Sequence, residues 1–395
     1  MSELNYLEKL LNGVGVEWKP IGTEIKTVTA PSKLKSQSYR LTGRLPIIDQ
    51  GLEFIAGYTD EDVTPINNGE YIIFGDHSEH IKYVDFPFVQ GADGIKILRA
   101  ISANTKYIYY AFLTFYTKEL SYKRHWSTAQ QTLIPIPCPN DPEKSRAIQS
   151  EIVRILDTFT TLTAELTAEL TVRKKQYNYY RDQLLSFDDG EVEYLPMGDK
   201  RVGEFIRGGT FQKKDFTDFG VGCIHYGQIY TYYGTYTNTT KTFISESLAR
   251  KCRKAESGNL IIATTSENDD DVCKAVAWLG YDDIAVSSDA CIYKHKLNPK
   301  YVSYFFQTEC FQRQKKQYIT GAKVRRVNAS NLAQILIPVP SPEEQARIVA
   351  ILDKFDTLTS SITEGLPREI ELRQKQYEYY RDLLFSFPKP ESVNN

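Results

Sequence analysis

The chain has 395 residues, and its 48 Lys and Arg stand against 50 Asp and Glu, which gives a formal net charge of −2. This balance excludes a uniformly basic nucleic-acid binder, so any DNA-binding surface is expected to be a local patch. No apolar run is long enough to span a membrane, no secretory signal begins the chain, and none of the six cysteines forms a CxxC pair, so we expect a cytoplasmic protein without a zinc or disulfide framework.

The first predicted domain covers residues 20–137 and follows a short N-terminal stub, residues 1–19. It is rich in Gly, Thr, Tyr and β-branched residues. Short apolar runs bounded by turn residues, such as 71–76, predict β-strands. A helix is predicted at 105–120, and a polar loop after it leads into a strand at 133–137.

Three polar stretches of this domain carry the residue types that bind phosphates and base edges of DNA. We predict that the DNA-binding residues in them are Lys33, Lys35, Arg40, Arg44, His77, Ser78, His80, Lys82, Lys123, Arg124 and His125. A solvated loop without a ligand is the competing interpretation for each residue. Trp126, next in the chain, fits the core as well as it fits a binding loop.

Residues 138–190 are predicted to form a long central helix. Asp141 followed by Pro142 is a typical helix start. Apolar residues then recur at steps of three, four and seven from Ile152 to Leu184, and a stripe of that length is typical of a coiled coil. At about 1.5 Å per residue, some 36 to 40 helical residues within this range make a rod of roughly 55–60 Å.

The second predicted domain covers residues 191–340. Its apolar runs at 259–265 and 283–288 predict strands, and a helix is predicted at 299–317. Residues 196–340 hold 20 Lys and Arg against 14 Asp and Glu, so this domain is modestly basic. Its predicted DNA-binding residues are Lys213, Lys214, His225, Tyr226, Gln228, Tyr230, Lys323, Arg325, Arg326 and Asn328. Those from Lys323 onward lie in a loop that has the same place in the order of elements as the basic loop before the last strand of the first domain.

The C-terminal region, residues 341–395, repeats the central helix. IVAILDKFDTLT at 348–359 matches IVRILDTFTTLT at 152–163, and RQKQYEYYRDLLFSF ends the second copy where RKKQYNYYRDQLLSF ends the first. The second copy has four extra residues between these blocks, about one helical turn. Pro367 lies in this stretch, and a proline inside a helix predicts a break or kink there.

Two similar helices in one chain favour antiparallel packing against each other, with a dimerisation coiled coil as the alternative. The helix ends are rich in Tyr and Arg, which is typical either of a solvated face or of a surface that binds a partner. The residues predicted to dock a partner are Tyr177, Tyr180, Arg181, Tyr377, Tyr380 and Arg381.

The repeat is cyclic as well as tandem. Val16-Glu17-Trp18 matches Val192-Glu193-Tyr194, and residues 6–11 resemble residues 180–185. The N-terminal stub therefore looks like the end of the repeated helix. We expect it to pack near the C-terminal helix and to complete a ring of alternating helices and domains.

Signatures of catalysis are missing from the sequence. It has no GxxxxGK[ST] loop, no GxGxxG after a strand and no Asn/Asp-Pro-Pro-aromatic tetrapeptide of amino-methyltransferases. His77 and His80 form an isolated HxxH pair without a further ligand at a supporting spacing. The acidic run 267–271 fits a solvated loop better than a cation site. We predict no catalytic residue and no metal site.

The whole pattern resembles the specificity subunits of type I restriction–modification systems. The resemblance covers essentially the entire chain and depends on the layout more than on any one motif. It is carried by the LIPIP and LIPVP strands (133–137 and 336–340), the helix starts that follow them, the paired QYNYYRDQLLSF and QYEYYRDLLFSF segments, and residues 74–98.

The resemblance implies an α+β fold, in which two β-rich target recognition domains are separated by two long antiparallel coiled-coil helices in a pseudo-two-fold cyclic repeat. Each domain would recognise one half of a bipartite double-stranded DNA target, and the helices would set the spacer. Two methyltransferase subunits using S-adenosylmethionine, and two restriction subunits using ATP and magnesium, would bind this chain, which would hold no cofactor. Two alternatives are a recognition subunit of a combined methyltransferase–nuclease and a structural coiled-coil protein.

Overall fold

The computed structural model describes residues 10, 13–361 and 363–388. They divide into two compact units. The first comprises the described residues up to Glu165 together with those from Glu371 onward, and the second comprises Leu166–Ile370. Each unit contains one β-rich domain and parts of the repeated helical regions.

The first unit contains nine of the described strands: β1 (Val16–Pro20), β2 (Ile25–Val28), β3 (Leu45–Ile48), β4 (Gly57–Thr59), β5 (Tyr71–Gly75), β6 (Ile81–Val84), β7 (Val89–Gln90), β8 (Ile95–Ala100) and β9 (Leu133–Pro137). Its helices are α1 (Ile21–Glu24), α2 (Thr105–Phe115), α3 (Trp126–Ala129), the first part of α4 (Pro142–Leu184) and, from Glu371 onward, the last helix, α11 (Gly365–Leu384). The strands form a sheet in the order β2-β8-β5-β6, a sheet in the order β4-β3-β7, and the antiparallel pair β1-β9.

Helix α2 packs on the larger sheet of this unit. Phe74 of β5, Leu98 of β8 and Phe112 of α2 are fully buried in one core. The helix predicted at 105–120 is present but ends at Phe115, because the backbone N–H groups of residues 119 and 120 bond to the carboxylate of Glu79 instead of to helix carbonyls. This early end creates a surface loop before α3.

The second unit contains the strands β10 (Glu193–Pro196), β11 (Gly203–Arg207), β12 (Phe216–Thr217), β13 (Val221–Ile224), β14 (Tyr236–Thr237), β15 (Thr242–Ile244), β16 (Lys254–Ala255), β17 (Leu260–Ala263), β18 (Thr265–Ser266), β19 (Ala275–Trp278), β20 (Ile284–Val286), β21 (Ala290–His295), β22 (Arg325–Arg326) and β23 (Leu336–Val339). They form two five-stranded sheets, β11-β21-β17-β19-β14 and β12-β15-β13-β20-β16, and the antiparallel pairs β10-β23 and β18-β22.

Besides the second part of α4 and the start of α11, the second unit contains α5 (Tyr226–Thr231), α6 (Glu246–Ala249), α7 (Pro299–Phe305), α8 (Glu309–Lys316), α9 (Ala329–Leu332) and α10 (Pro342–Ser360). The prediction of one helix at 299–317 is wrong, since α7 and α8 are separate. Thr308 divides them, because its side chain caps α8 by accepting a hydrogen bond from the N–H of Phe311 at 3.2 Å.

The two helical regions differ in continuity. Helix α4 runs without interruption for 43 residues, which corresponds to about 65 Å. The C-terminal region is broken into α10, of 19 residues, and α11 (Gly365–Leu384), of 20 residues. Of the two long helices that the resemblance implies, the first is therefore continuous and the second consists of two shorter helices.

The break expected near Pro367 is confirmed and lies just before it. Gly365 has a φ of 78°, a conformation in which L side chains are strained, and a Cβ there would lie 2.4 Å from the carbonyl oxygen of Thr357. Pro367 occupies the first turn of α11, where backbone N–H groups have no helical partner to lose.

Helices pack on each other inside each unit. In the first, the rings of Phe159 (α4) and Tyr380 (α11) stack with centroids 5.0 Å apart. In the second, Tyr180 (α4) and Phe355 (α10) stack at 5.6 Å. The two pairs are equivalent in the repeat, so intramolecular packing accounts for these faces. Antiparallel pairing along the full helices spans both units and stays a prediction.

Described residues near the start of the chain lie beside the C-terminal helix, as the cyclic repeat predicts. The indole Nε1 of Trp18 donates to the carbonyl oxygen of Pro388 at 2.8 Å. The matching Tyr194 places its hydroxyl 3.3 Å from the carbonyl oxygen of Phe187, at the end of the central helix. Residues 1–9 and 11–12 of the stub lie outside the described residues.

Candidate nucleic-acid interface

One hydrogen-bond network fixes the β-rich domain of the first unit to α4. Asp157 of α4 accepts from Lys106 Nζ at 2.8 Å and from the hydroxyl of Tyr110 at 2.7 Å. The amide oxygen of Gln149 accepts from the N–H of Asn104, the residue that caps α2, at 2.8 Å. Burial and the neighbouring Asp157 carboxylate raise the pKa of Tyr110, so this tyrosine remains a neutral donor.

The second unit repeats this network with equivalent residues. Asp353 of α10 accepts from Lys300 Nζ and from the hydroxyl of Tyr304, both at 2.7 Å. Gln345 accepts from the N–H of Asn298 at 2.8 Å. Each domain is thus attached to its helix in the same way. This anchor is not among the features predicted from the sequence, although the segments KYIYY (106–110) and KYVSY (300–304) carry its signal.

Most predicted cationic residues of the first unit are exposed on loops. The exposed ones are Lys33, Lys35, Arg40, Arg44, Lys123 and Arg124. Several have acidic neighbours: Lys33 pairs with Asp93, and Arg40 lies 3.6 Å from Asp60. Such exposed pairs are weak, so these side chains can exchange their partners for phosphates.

His77, Ser78 and His80 lie in the turn between β5 and β6 and are half-buried. Ser78 Oγ donates to the carbonyl oxygen of Gln50 at 2.5 Å, and His80 Nδ1 lies 3.2 Å from the same oxygen. His77 Nδ1 lies 3.1 Å from the carbonyl oxygen of Lys123. The turn therefore joins the loops around residues 50 and 123 into one surface, which we call the first loop cluster (residues 49–54, 75–80 and 119–125).

Two predicted residues of this unit are buried, and the prediction that they contact DNA is corrected. Lys82 donates to the carbonyl oxygens of Asp49 and Glu53 at 2.9 and 2.6 Å. Burial lowers the pKa of Lys82, against the opposing effect of nearby carboxylates. His125 is fully buried, with Nε2 at 2.7 Å from the carbonyl oxygen of Ser121. Both side chains hold loops from beneath.

In the second unit, Lys213, Lys214, Lys323, Arg326 and Asn328 are exposed. Arg325 is half-buried, with Nε 2.8 Å from Asp269 Oδ1 and Nη1 2.5 Å from the carbonyl oxygen of Gly321. Arg325 therefore shapes its own loop, and its exposed neighbours remain the candidates for DNA contact.

Three further predicted residues make structural hydrogen bonds, and DNA contact at these positions stays a prediction. His225 and Gln228 are buried and cap α5: Gln228 Oε1 accepts from the N–H of His225 at 2.9 Å. Burial lowers the pKa of His225, with a smaller contribution from Lys213. Tyr230 donates its hydroxyl to the carbonyl oxygen of Thr265 at 2.7 Å. Tyr226 is half-buried beside them.

Some exposed residues that were not predicted from the sequence lie beside these candidates. Arg207 lines a cleft of about 220 Å³ together with Arg326, Asn328 and Ser288, and its Nε lies 3.3 Å from the carbonyl oxygen of Ser288. In the first loop cluster, Tyr122 is 96% exposed and stacks on His77. Arg207 is far from the basic loop in sequence, so only the fold brings it there.

Some of the predicted partner-docking residues are buried, and others are partly exposed. Tyr177 and Arg181 are buried, and the Tyr177 hydroxyl donates to Gln307 at 2.9 Å, so these two pack the unit. Tyr380 stacks on Phe159, while Tyr377 and Arg381 are half-buried. The most exposed tyrosines of the helix ends are Tyr179 (61%) and Tyr379 (53%), equivalent in the repeat.

Within residues 13–361 and 363–388, no group of three or more His, Cys, Asp and Glu side chains is arranged to hold a metal ion. None of the helices described there is both long enough and apolar enough to cross a membrane.

The family of the chain follows from comparison with known proteins. The family model for the type I restriction modification DNA specificity domain matches residues 22–172 and again residues 196–372. The chain therefore belongs to the type I restriction–modification specificity subunits and carries the family domain twice. The resemblance stated from the sequence is confirmed.

Individual relatives agree over the full length. The specificity subunit of the type I restriction enzyme EcoR124I/EcoR124II of Escherichia coli is 45% identical over 412 residues and covers 100% of both chains. A putative type I specificity subunit of Haemophilus influenzae is 30% identical, covering 97% of this chain and 98% of its own. The crystal structure of a type I S subunit from M. genitalium has the same fold, with a TM-score of 0.56, 13% identity and coverage of 96% and 98%.

Proposed function

We propose that this specificity subunit recognises a bipartite DNA target. The first loop cluster would bind one half-site. The loop 321–328, which we call the basic loop, and the cleft beside Arg326 would bind the other half-site. The observation that carries the proposal is the contrast between the two units. Their anchors to the helices are equivalent residue by residue, at Asp157 and Asp353, whereas the exposed loops differ in sequence. Constant anchors with divergent loops are what two DNA-recognition domains with different half-sites require.

The exposed residues supply the needed chemistry. Lys and Arg bind phosphates and position the protein, while Arg and Asn can bond bidentately to guanine and adenine edges in the major groove. Arg207, Arg326 and Asn328 meet at one cleft and can do both. Because neutralised phosphates release counterions, the affinity should fall steeply with salt.

The proposal extends to the partners. We infer that two methyltransferase subunits dock on the helix ends, where Tyr179 and Tyr379 are exposed, and that two restriction subunits join the assembly. S-adenosylmethionine, ATP and magnesium would be bound by these partners, and this chain would be non-catalytic and hold no cofactor. Exposed tyrosines suit such docking, since they supply large contact areas at low entropic cost.

Methylome sequencing tests the proposal. Cells that express the chain with its partner subunits should carry adenine methylation at one split motif, and deletion of this chain alone should abolish it. A methylome that does not change on deletion, with the partners present, contradicts the proposal. A matched variant, Asp353→Ala with Asp157 intact, should weaken recognition in only one half of the motif.

A further inference from the structure

The turn and strand that follow β5 in the first unit carry three buried charged side chains, Asp76, Glu79 and Lys82, of which the last two contact loops of the first loop cluster. Glu79 is 1% exposed and Lys82 is 7% exposed. A buried charge is costly unless hydrogen bonds satisfy it. The partners of these two groups therefore show what each of them does.

The Glu79 carboxylate binds the backbone of one loop. Oε1 accepts from the N–H of Glu119 at 2.9 Å and from the hydroxyl of Tyr116 at 2.5 Å, and Oε2 accepts from the N–H of Leu120 at 2.8 Å. His125 Nδ1 lies 3.4 Å away. Burial raises the pKa of Glu79, but the hydrogen bonds outweigh it and hold this pKa below its usual range, so the group is a carboxylate.

The backbone at this contact is strained. Glu79 and Leu120 both have a φ of 55°, a left-handed conformation that is unfavourable for non-glycine residues. Such a conformation persists only where the surroundings support it. At Leu120 the residue with this φ is the one whose N–H donates to the Glu79 carboxylate.

The Lys82 ammonium binds a second loop by the opposite chemistry. It donates to the carbonyl oxygens of Asp49 and Glu53 and so closes the loop 49–53. Leu52, between these two contacts, is 79% exposed. Each of the two loops, 49–53 and 119–125, is thus bonded through its backbone to a buried charged group and presents exposed side chains to solvent.

We propose that Glu79 and Lys82 are positioning residues that hold the loops 119–125 and 49–53 in the geometry that recognises the first half-site. The inference rests on the proposed DNA-recognition function of this unit. Glu79 acts through backbone N–H groups, and Lys82 acts through backbone carbonyl groups. The residues that touch DNA would be those that the loops expose, including Tyr122, Lys123 and Arg124.

The form of these contacts favours this role over a purely structural one. The Lys82 ammonium binds main-chain carbonyl groups, and the Glu79 carboxylate binds two main-chain N–H groups besides the Tyr116 hydroxyl and the nearby His125 Nδ1. Loop side chains other than His125 can therefore change without loss of these backbone contacts. Core packing alone would not need charged groups, because apolar contacts serve it without the cost of burying charge.

The second unit offers a matched residue. Lys315 is 2% exposed, and its Nζ donates to the carbonyl oxygens of Asp269, Asp270 and Val272 at 2.8, 3.1 and 3.0 Å. Asp269 is the ion-pair partner of Arg325 in the basic loop. Lys315 therefore holds a loop beside the candidate surface of the other half-site.

The test is methylome sequencing of cells that express the full chain and its partner subunits, with Glu79→Gln, Lys82→Met or Lys315→Met. E79Q and K82M should relax base preference by about tenfold or more in the same half of the motif, the scale of one lost base contact. K315M should relax the other half. Glu70→Gln is the control, since Glu70 is exposed and only accepts the hydroxyl of Tyr83, so it should change neither half.

Lys82→Arg separates positioning from folding, because it keeps donors for both carbonyl groups. K82R should retain more of the wild-type base preference than K82M. Equal relaxation of both halves by E79Q and K82M, or K82R behaving as K82M with a lowered melting temperature, overturns the inference. A wild type without any split motif overturns the proposed function and this inference with it, whereas a split motif that E79Q and K82M leave unchanged overturns this inference alone.

Discussion

The anchor between the first domain and α4 depends on Asp157. Replacing Asp157 by Ala removes the acceptor of two donors, Lys106 Nζ at 2.8 Å and the Tyr110 hydroxyl at 2.7 Å. Both side chains of the ion pair are about one-third exposed, so water can partly solvate the lysine that is left behind. Tyr110 is buried and has less access to water.

The expected loss follows from these two contacts. A hydrogen bond to a charged group contributes about 1.5–3 kcal/mol, and an ion pair with this exposure adds at most about 1 kcal/mol. We expect Asp157→Ala to lower the free energy of unfolding of the first unit by about 2–3 kcal/mol. At about 2–4 °C per kcal/mol, the melting temperature of this unit should fall by roughly 5–10 °C.

A double-mutant cycle measures the contact directly. Asp157→Ala, Tyr110→Phe and the double variant are compared by thermal and urea unfolding, with Glu165→Ala, an exposed substitution on the same helix, as the control. The Tyr110–Asp157 coupling should be about 1–2 kcal/mol, and the control should change stability by less than about 0.5 kcal/mol. A coupling near zero would refute the argument that this network attaches the domain to the helix.

Three further predictions concern the spacer, the second half-site and pH. Adding or removing four residues between Thr363 and Arg373 should change the spacer of the methylated motif, and an unchanged spacer contradicts the idea that the helices act as a ruler. Arg207→Ala and Arg326→Ala should each reduce affinity for DNA and lower its salt dependence by about one phosphate contact, measured as the slope of log Kd against log salt. Burial lowers the pKa of His295 to about 4 from 6.5, so its stabilising contribution is complete above pH 6.5 and is lost as the pH falls toward 4. His295→Gln should therefore flatten the loss of stability between pH 7 and pH 5 in urea unfolding, and an equal slope in both proteins contradicts this assignment.

Helical periodicity and repetition were strong sequence signals. The stripe from Ile152 to Leu184 predicts α4, and the duplicated blocks predict α10 and α11, because apolar faces recur over many turns. The split of α7 from α8 was missed, since one side-chain cap at Thr308 decides it and residues on both sides have helical character. A break or kink near Pro367 is predicted because proline has a local steric effect, but the positive φ of Gly365 depends on the fold and is not encoded in a local pattern.

The candidate site shows where sequence reasoning fails. Lysines and histidines in polar loops look alike in sequence, yet Lys123 is exposed while Lys82 and His125 are buried. The difference arises from tertiary contacts, such as those of Lys82 with the loop 49–53, which no local pattern encodes. For the same reason the sequence could not place Arg207 at the cleft.

The anchors to the helices are equivalent in the two domains, whereas the exposed loops differ in sequence. A domain that distinguishes only a few base pairs discriminates weakly, because each wrong pair costs about 1–3 kcal/mol. Linking two such domains makes the second binding event intramolecular, so modest recognition by each becomes strong recognition by both, provided that their separation matches the DNA. Equivalent networks at Asp157 and Asp353 fix how each domain meets its helix, and so keep that geometry independent of the loops. Changes confined to the exposed loops can then alter the recognised bases without altering the distance over which the two half-sites are read.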